Sequence, residues 1–177
     1  MKPDLGMNTF CAAYLLSSVL AFTTLLAGQK RITKPECSPN LPQSVQIALE
    51  RSSGVEVSCR IIPPFIQGDF DGDGSSDFAV LVVSKSAHQR GFLLVFGKGD
   101  AVVIGAGHPA QYGAGKSLDL NFDQWELYPK TRAVETGVGE NKPLKLRGDA
   151  LLVSYHETAS GLFYWDGKTV RWYQQGD

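Results

Sequence analysis

The segment Asp69-Phe70-Asp71-Gly72-Asp73-Gly74-Ser75-Ser76-Asp77 concentrates the chemistry of this chain. Its carboxylates fall at loop positions one, three, five and nine, with glycine at position six. A hard divalent cation such as calcium takes six to eight oxygens at about 2.3–2.6 Å, and alternate Asp residues on a tightly turning chain aim theirs at one centre. Gly74 permits the sharp turn, and Ser75 can offer its backbone carbonyl at position seven. Position twelve is Val80, where a calcium loop between two helices carries a bidentate Glu, so Asp77 must close the site instead. The apolar Phe78-Ala79-Val80-Leu81-Val82-Val83 that follows reads as a strand, so the loop feeds a sheet. Without a cation, four carboxylates in one turn repel each other.

Pro64-Phe65-Ile66-Gln67-Gly68-Asp69-Phe70-Asp71-Gly72-Asp73-Gly74 and Asp77-Phe78-Ala79-Val80 resemble the FG-GAP, or VCBS-type, calcium loop of integrin α-subunit propellers and many bacterial surface proteins. The resemblance implies Ca2+ held by Asp69, Asp71, Asp73, Asp77 and the carbonyl of Ser75. It covers about residues 64–80, in one copy. A propeller needs at least four blades of roughly 40–50 residues, and the chain left after loss of a leader over residues 1–28 could supply about three. A full β-propeller is therefore not expected.

Other matches lack the element their chemistry requires. Ala110-Gln111-Tyr112-Gly113-Ala114-Gly115-Lys116-Ser117 fits a relaxed phosphate-loop pattern, but Leu118-Asp119-Leu120-Asn121 after it alternates like a strand. Phosphate binding of that kind needs helix N-terminal amides. Gly105-Ala106-Gly107-His108-Pro109-Ala110 mimics a dinucleotide fingerprint, again with no helix to follow. His88, His108 and His156 have neither metal-ligand nor triad spacing. Tyr155, Phe163, Tyr164, Trp165, Trp172 and Tyr173 crowd the C-terminus, where aromatics serve a core or form a carbohydrate- or protein-binding face.

These residues need elements to hold them. Asn40-Leu41-Pro42-Gln43 reads as a helix start, with Asn40 able to cap and Gly54 as the stop. Val45, Ala48, Leu49 and Ser52 then share one face. Strands are expected at 55–62, 78–84, 91–97, 101–104 and 117–128, then at 144–146, 150–156, 162–165 and 169–173. The short links Gly97-Lys98-Gly99-Asp100 and Asp166-Gly167 are hairpin chemistry. The stretch 129–143 carries few apolar anchors. The expected class is α+β: mainly antiparallel sheet, as one curved sheet or a small sandwich, with one short N-terminal amphipathic helix.

Residues 5–29 carry no charge, and the apolar run from Phe10 ends in small residues near Ala27 and Gly28. Residues 1–28 read as a signal peptide, with an uncleaved membrane anchor as the alternative, followed by a linker over 29–39 and one globular calcium-loop domain over 40–177. Loss of the leader would remove Cys11 and leave Cys37 and Cys59, a pair that suits one disulfide in an exported domain.

The 177 residues carry 17 Lys and Arg against 18 Asp and Glu, a net charge of −1. That balance excludes a basic nucleic-acid footprint. Membrane contact is expected only through an uncleaved leader. The sequence thus predicts a non-enzymatic, periplasmic or secreted calcium-binding domain, structural or binding a protein or glycan partner. Its alternatives are an exported hydrolase with catalytic groups gathered from several strands, and a carbohydrate- or protein-binding module built on the C-terminal aromatics.

Overall fold

The order of apolar residues along two central strands determines the layering of the molecule. In the computed structural model, which describes residues 39–134, 144–156 and 159–176, β3 (Asp77–Ser84) and β4 (Arg90–Val95) pair antiparallel. Ala79 and Leu81 of β3, with Phe92 and Leu94 of β4, face one core. Val80 and Val82, with Leu93 and Val95, face another. A strand buried on both faces needs a continuous apolar run rather than an alternating one, and 78–83 supplies it.

The first sheet extends from this pair. β5 (Ala101–Gly105) lies antiparallel on β4 across the hairpin at 97–100. The other edge of β3 is shared by β1 (Val55–Val57) and β2 (Phe65–Gly68), both antiparallel to it. The helix α1 (Gln43–Arg51) covers the outer face, burying Val45 and Ala48 against the second core. Its N-cap is Pro42 with no side-chain capping bond, and its C-cap is Ser52, so neither Asn40 nor Gly54 plays the expected role. Instead the Ser52 amide bonds the carbonyls of Ala48 and Leu49, closing the last turn.

The second sheet is an antiparallel meander of β8 (Gln124–Tyr128), β9 (Ala150–Tyr155), β10 (Ala159–Trp165) and β11 (Val170–Gly176). It shares the first core with sheet one through Trp125, Leu151, Val153 and Phe163. Phe92 of β4 meets Phe163 of β10 edge-to-face at 5.1 Å between centroids, a contact worth about 0.5–1.5 kcal/mol beyond burial. On its far face Tyr128, Ala150, Leu162 and Tyr173 form a third core with Val134. A separate hairpin, β6 (Ala110–Tyr112) with β7 (Gly115–Ser117), packs Tyr112 onto the shared core. The molecule is α+β, antiparallel, with one short helix among the described residues, and it is not a propeller.

Several expected strands change shape for identifiable reasons. The strand predicted over 55–62 stops at Val57. The Ser58 amide donates to the Leu81 carbonyl, the chain leaves, and the Leu81 amide donates back to the Pro64 carbonyl. The excursion ends at Pro63-Pro64, which offers no amide to a ladder, and β2, absent from the prediction, begins beyond it. The strand predicted over 117–128 splits, because side chains occupy the backbone of 118–123. The half-buried Arg60 guanidinium donates to the Phe122 and Leu120 carbonyls and stacks 4.6 Å over the Phe122 ring. Burial, then the charge of Arg90, lowers the Arg60 pKa. Asp119 turns away to Arg90, taking its backbone amide at 2.6 Å and its Nε at 2.8 Å. Residues 144–146 form no strand; Leu144 and Leu146 pack side-on against the third core. No helix follows the two glycine-rich matches. One becomes the β6–β7 hairpin, the other its approach.

The leader and most of the linker (residues 1–38), and residues 135–143 of the weakly anchored stretch, lie outside the described residues. So does Cys37, and with it the expected Cys37–Cys59 pair. Among the described residues, no helix is long and apolar enough to cross a membrane.

Candidate metal centre

The acidic loop joins β2 to β3, and its last carboxylate is the first residue of β3. Asp77 is fully buried. Its Oδ2 accepts the amides of Phe70 at 2.8 Å and Asp71 at 3.2 Å, and its Oδ1 accepts the Gly97 amide at 2.7 Å from the β4–β5 turn. One side chain thereby fastens the start of the loop, its end and the neighbouring hairpin. Burial pushes the Asp77 pKa up; the hydrogen bonds from Gly97, Asp71 and Phe70 pull against it.

Asp69, Asp71 and Asp77 each bring one carboxylate oxygen within 4.8 Å of the others. Oxygens around one ion at 2.3–2.6 Å stand no more than about 5 Å apart, so the three could hold a metal ion. Asp69 Oδ1 is buried and meets no donor at hydrogen-bonding geometry among the described residues. Such an orphaned acceptor in a carboxylate cluster fits a cation. Burial alone would raise the Asp69 pKa. The bond from Lys130 and the nearby amides of Gly74 and Gly72 outweigh it, and the pKa lies below the ordinary carboxylate value.

The loop's turns are built from its own side chains. Asp71 Oδ1 accepts the Asp73 amide at 3.0 Å, and Asp73 Oδ1 accepts the Ser75 amide at 2.7 Å. Gly74 has a φ of +87°, the conformation expected for it. Asp73 stands apart from the group of three. Its Oδ2 pairs with Lys98 at 2.7 Å, and this bond, with that from the Ser75 amide, holds its pKa down at about 2. Ser75 takes part through its amide.

Three partners of the loop were not legible in its motif. Lys98 reaches Asp71 at 3.3 Å as well as Asp73, and Lys130 reaches Asp69 at 2.6 Å. Asp149 takes the Asp69 amide on Oδ2 at 2.9 Å and the Lys130 amide on Oδ1 at 2.9 Å, while its own amide donates to the Asp69 carbonyl at 2.7 Å. The preceding residue must be glycine, because a Cβ on Gly148 would stand 2.3 Å from the Phe70 carbonyl oxygen and 2.5 Å from that of Asp69. The only sequence trace of this contact is a Gly-Asp step just before β9, 80 residues from the loop. The loop therefore lies where the first sheet's turns meet the segments flanking β8 and β9.

The remaining candidates scatter. His88, His108 and His156 stand on three separate connections, and His156 pairs with Asp123 at 3.0 Å on the surface. Trp125 is buried with its indole N–H on the Pro63 carbonyl. Trp165 packs on Phe96 at 4.9 Å and Trp172 on Phe163 at 4.8 Å. Phe163, Trp165 and Trp172 thus pack into the inter-sheet core and Tyr164 and Tyr173 into the third core, while Tyr155 is exposed.

No family model, curated protein or solved structure matches the chain. Fold and site together define an antiparallel α+β domain, two larger sheets and a two-stranded hairpin, with a three-carboxylate cluster at one of its seams.

Proposed function

We propose that this chain is an exported, non-enzymatic calcium-binding domain of the FG-GAP loop type, in which the metal stiffens the loop–strand junction for a structural or partner-binding role. The convergence of Asp69, Asp71 and Asp77 carries the reading. The orphaned Oδ1 of Asp69 supports it, since calcium accepts several such oxygens at once. Lys98 and Lys130 act as internal counter-ions that give way to the metal. Asp73, released by Lys98, and the Ser75 carbonyl then complete the set. An extracellular setting supplies calcium at concentrations that suit weak sites of this kind.

Thermal melting of the full chain in calcium and in chelator tests the reading. A ligand bound only to the native state at a hundred times its Kd adds about 2.7 kcal/mol, a rise of about 5–11 °C for a domain of this size. Asp71→Asn should abolish the rise and Asp73→Ala remove most of it. A melting temperature indifferent to calcium overturns the proposal.

A further inference from the structure

A cleft of about 210 Å3, sharing no residue with the acidic loop, opens between the β6–β7 hairpin and the ends of β9, β10 and β11. Its walls include Tyr112, Tyr155 and Trp172, with Asn121 and Ser160 among them. Both central rings are held from behind. Tyr112 stacks on Phe163 at 6.1 Å and meets Trp172 edge-on at 5.1 Å. The Trp172 ring lies against Gly161, where a Cβ would come within 2.3 Å of it. These aromatic surfaces are fixed before any ligand arrives, which lowers the entropic cost of binding.

The polar groups in the same walls are neutral, and Tyr112, Asn121 and Ser160 keep hydrogen-bonding capacity among the described residues. The Asn121 carbonyl oxygen accepts from Arg90. An arginine can only donate, so this bond fixes the amide's orientation and leaves both Asn121 N–H groups without a partner among the described residues. The Tyr112 and Ser160 hydroxyls likewise make no hydrogen bond there. Burial holds the Tyr112 hydroxyl in its neutral form by raising its pKa. Among the described residues, no charged side chain lines the cleft. Behind the cleft, Arg90 is paired with Asp119.

We propose that this cleft binds a single neutral pyranose ring. A sugar has an apolar C–H face for the aromatic wall and hydroxyls around its edge for Tyr112, Asn121 and Ser160. The described lining carries no charge and so offers no partner to an acidic or basic ligand, and a charge buried without a partner is costly. The volume falls below the 300–1,000 Å3 typical of drug-sized sites, so one ring fits rather than several. This site stands whether or not the acidic loop takes calcium.

The test is titration of the full 15N-labelled chain with methyl glucoside, galactoside, mannoside and N-acetylglucosaminide, following the three indole N–H resonances. At least one glycoside should move the Trp172 resonance saturably while Trp125 stays still. Tyr112→Phe and Ser160→Ala keep the packing and remove one hydroxyl each, and each should weaken that binding by about 3–10-fold. Three results overturn the proposal. One is no saturable shift with any of the four sugars. Another is binding unchanged in the double variant Tyr112→Phe, Ser160→Ala. The third is tighter binding of N-acetyl-tyrosinamide than of every glycoside, which would make the cleft a pocket for a peptide side chain.

Discussion

Two aspartate-capped turns of this domain use the same local device and differ in what they leave over. At the β10–β11 turn, Asp166 Oδ1 accepts the amides of Lys168 and Thr169 at 2.8 and 2.9 Å, and Oδ2 takes the Arg171 Nε at 2.6 Å. One carboxylate meets two amides and one cation within six residues, and the turn is complete. At the β2–β3 loop, Asp71 and Asp73 each cap an amide two residues on in the same way, but four carboxylates crowd the turn. Its own amides cannot absorb that charge, so lysines from two other connections reach in. The surplus of negative charge, not the turn geometry, separates a candidate metal centre from an ordinary hairpin.

The largest test of that difference lies at Asp77, whose counterpart the hairpin lacks. Asp77→Ala would leave the amides of Phe70, Asp71 and Gly97 without their acceptor in a buried site. Orphaned buried donors cost about 1–3 kcal/mol each, so a loss of at least about 3 kcal/mol is expected in urea denaturation, with or without calcium. Asp166→Ala, at an exposed turn, should barely move the midpoint. Equal losses at the two positions would mean that Asp77 is no more than another turn residue.

The loop was legible because its signal is local: residue type, spacing and turn chemistry all lie within nine positions. That β3 is a strand was legible for the same reason, as an unbroken apolar run, whereas its burial on both faces emerges only from the packing. Asp149, Lys98 and Lys130 were not, because each reaches the loop only through tertiary pairing, and an isolated Lys or Gly-Asp step has many surface uses. The short strands β2 and β6 were also missed. They are three or four residues long, and their pairing with β3 and β7 defines them more than their own sequence does. Arg60 shows the converse. One half-buried cation overrode the alternation of 118–123 by claiming the Leu120 and Phe122 carbonyls, and periodicity carries no record of that.

A smaller effect should distinguish counter-ion from clamp at Lys98. If the lysine only neutralises the loop until a divalent ion does so better, Lys98→Met removes a competitor. Calcium should then bind a few-fold more tightly, with the chelated protein slightly less stable. Isothermal titration measures the first and thermal melting the second. Tighter binding must come from the lost competition, because an exposed ion pair contributes little to stability by itself. Weaker calcium binding in the variant would make Lys98 part of the loop's scaffold, and the two turns would then be alike in needing their cation.

The smallest effect belongs to the self-contained turn, and its sign follows from the carboxylate. The bond from Arg171, with the Thr169 and Lys168 amides, lowers the Asp166 pKa from 3.8 to about 2. A pKa lower in the folded state means that the unfolded chain binds the proton more readily, so stability rises with pH through this interval. The contribution is fully present above the unfolded pKa, near 4, and fades as pH falls towards about 2. Asp166→Asn, which cannot ionise, should flatten the melting-temperature profile between about pH 2 and 4 and leave it parallel to the parent above pH 5. Asp73 has a similar depression and titrates in the same window, so the slope should be reduced rather than abolished. A variant profile as steep as the parent's would mean that the Arg171 pair, though formed, does not discriminate between the two protonation states of the turn.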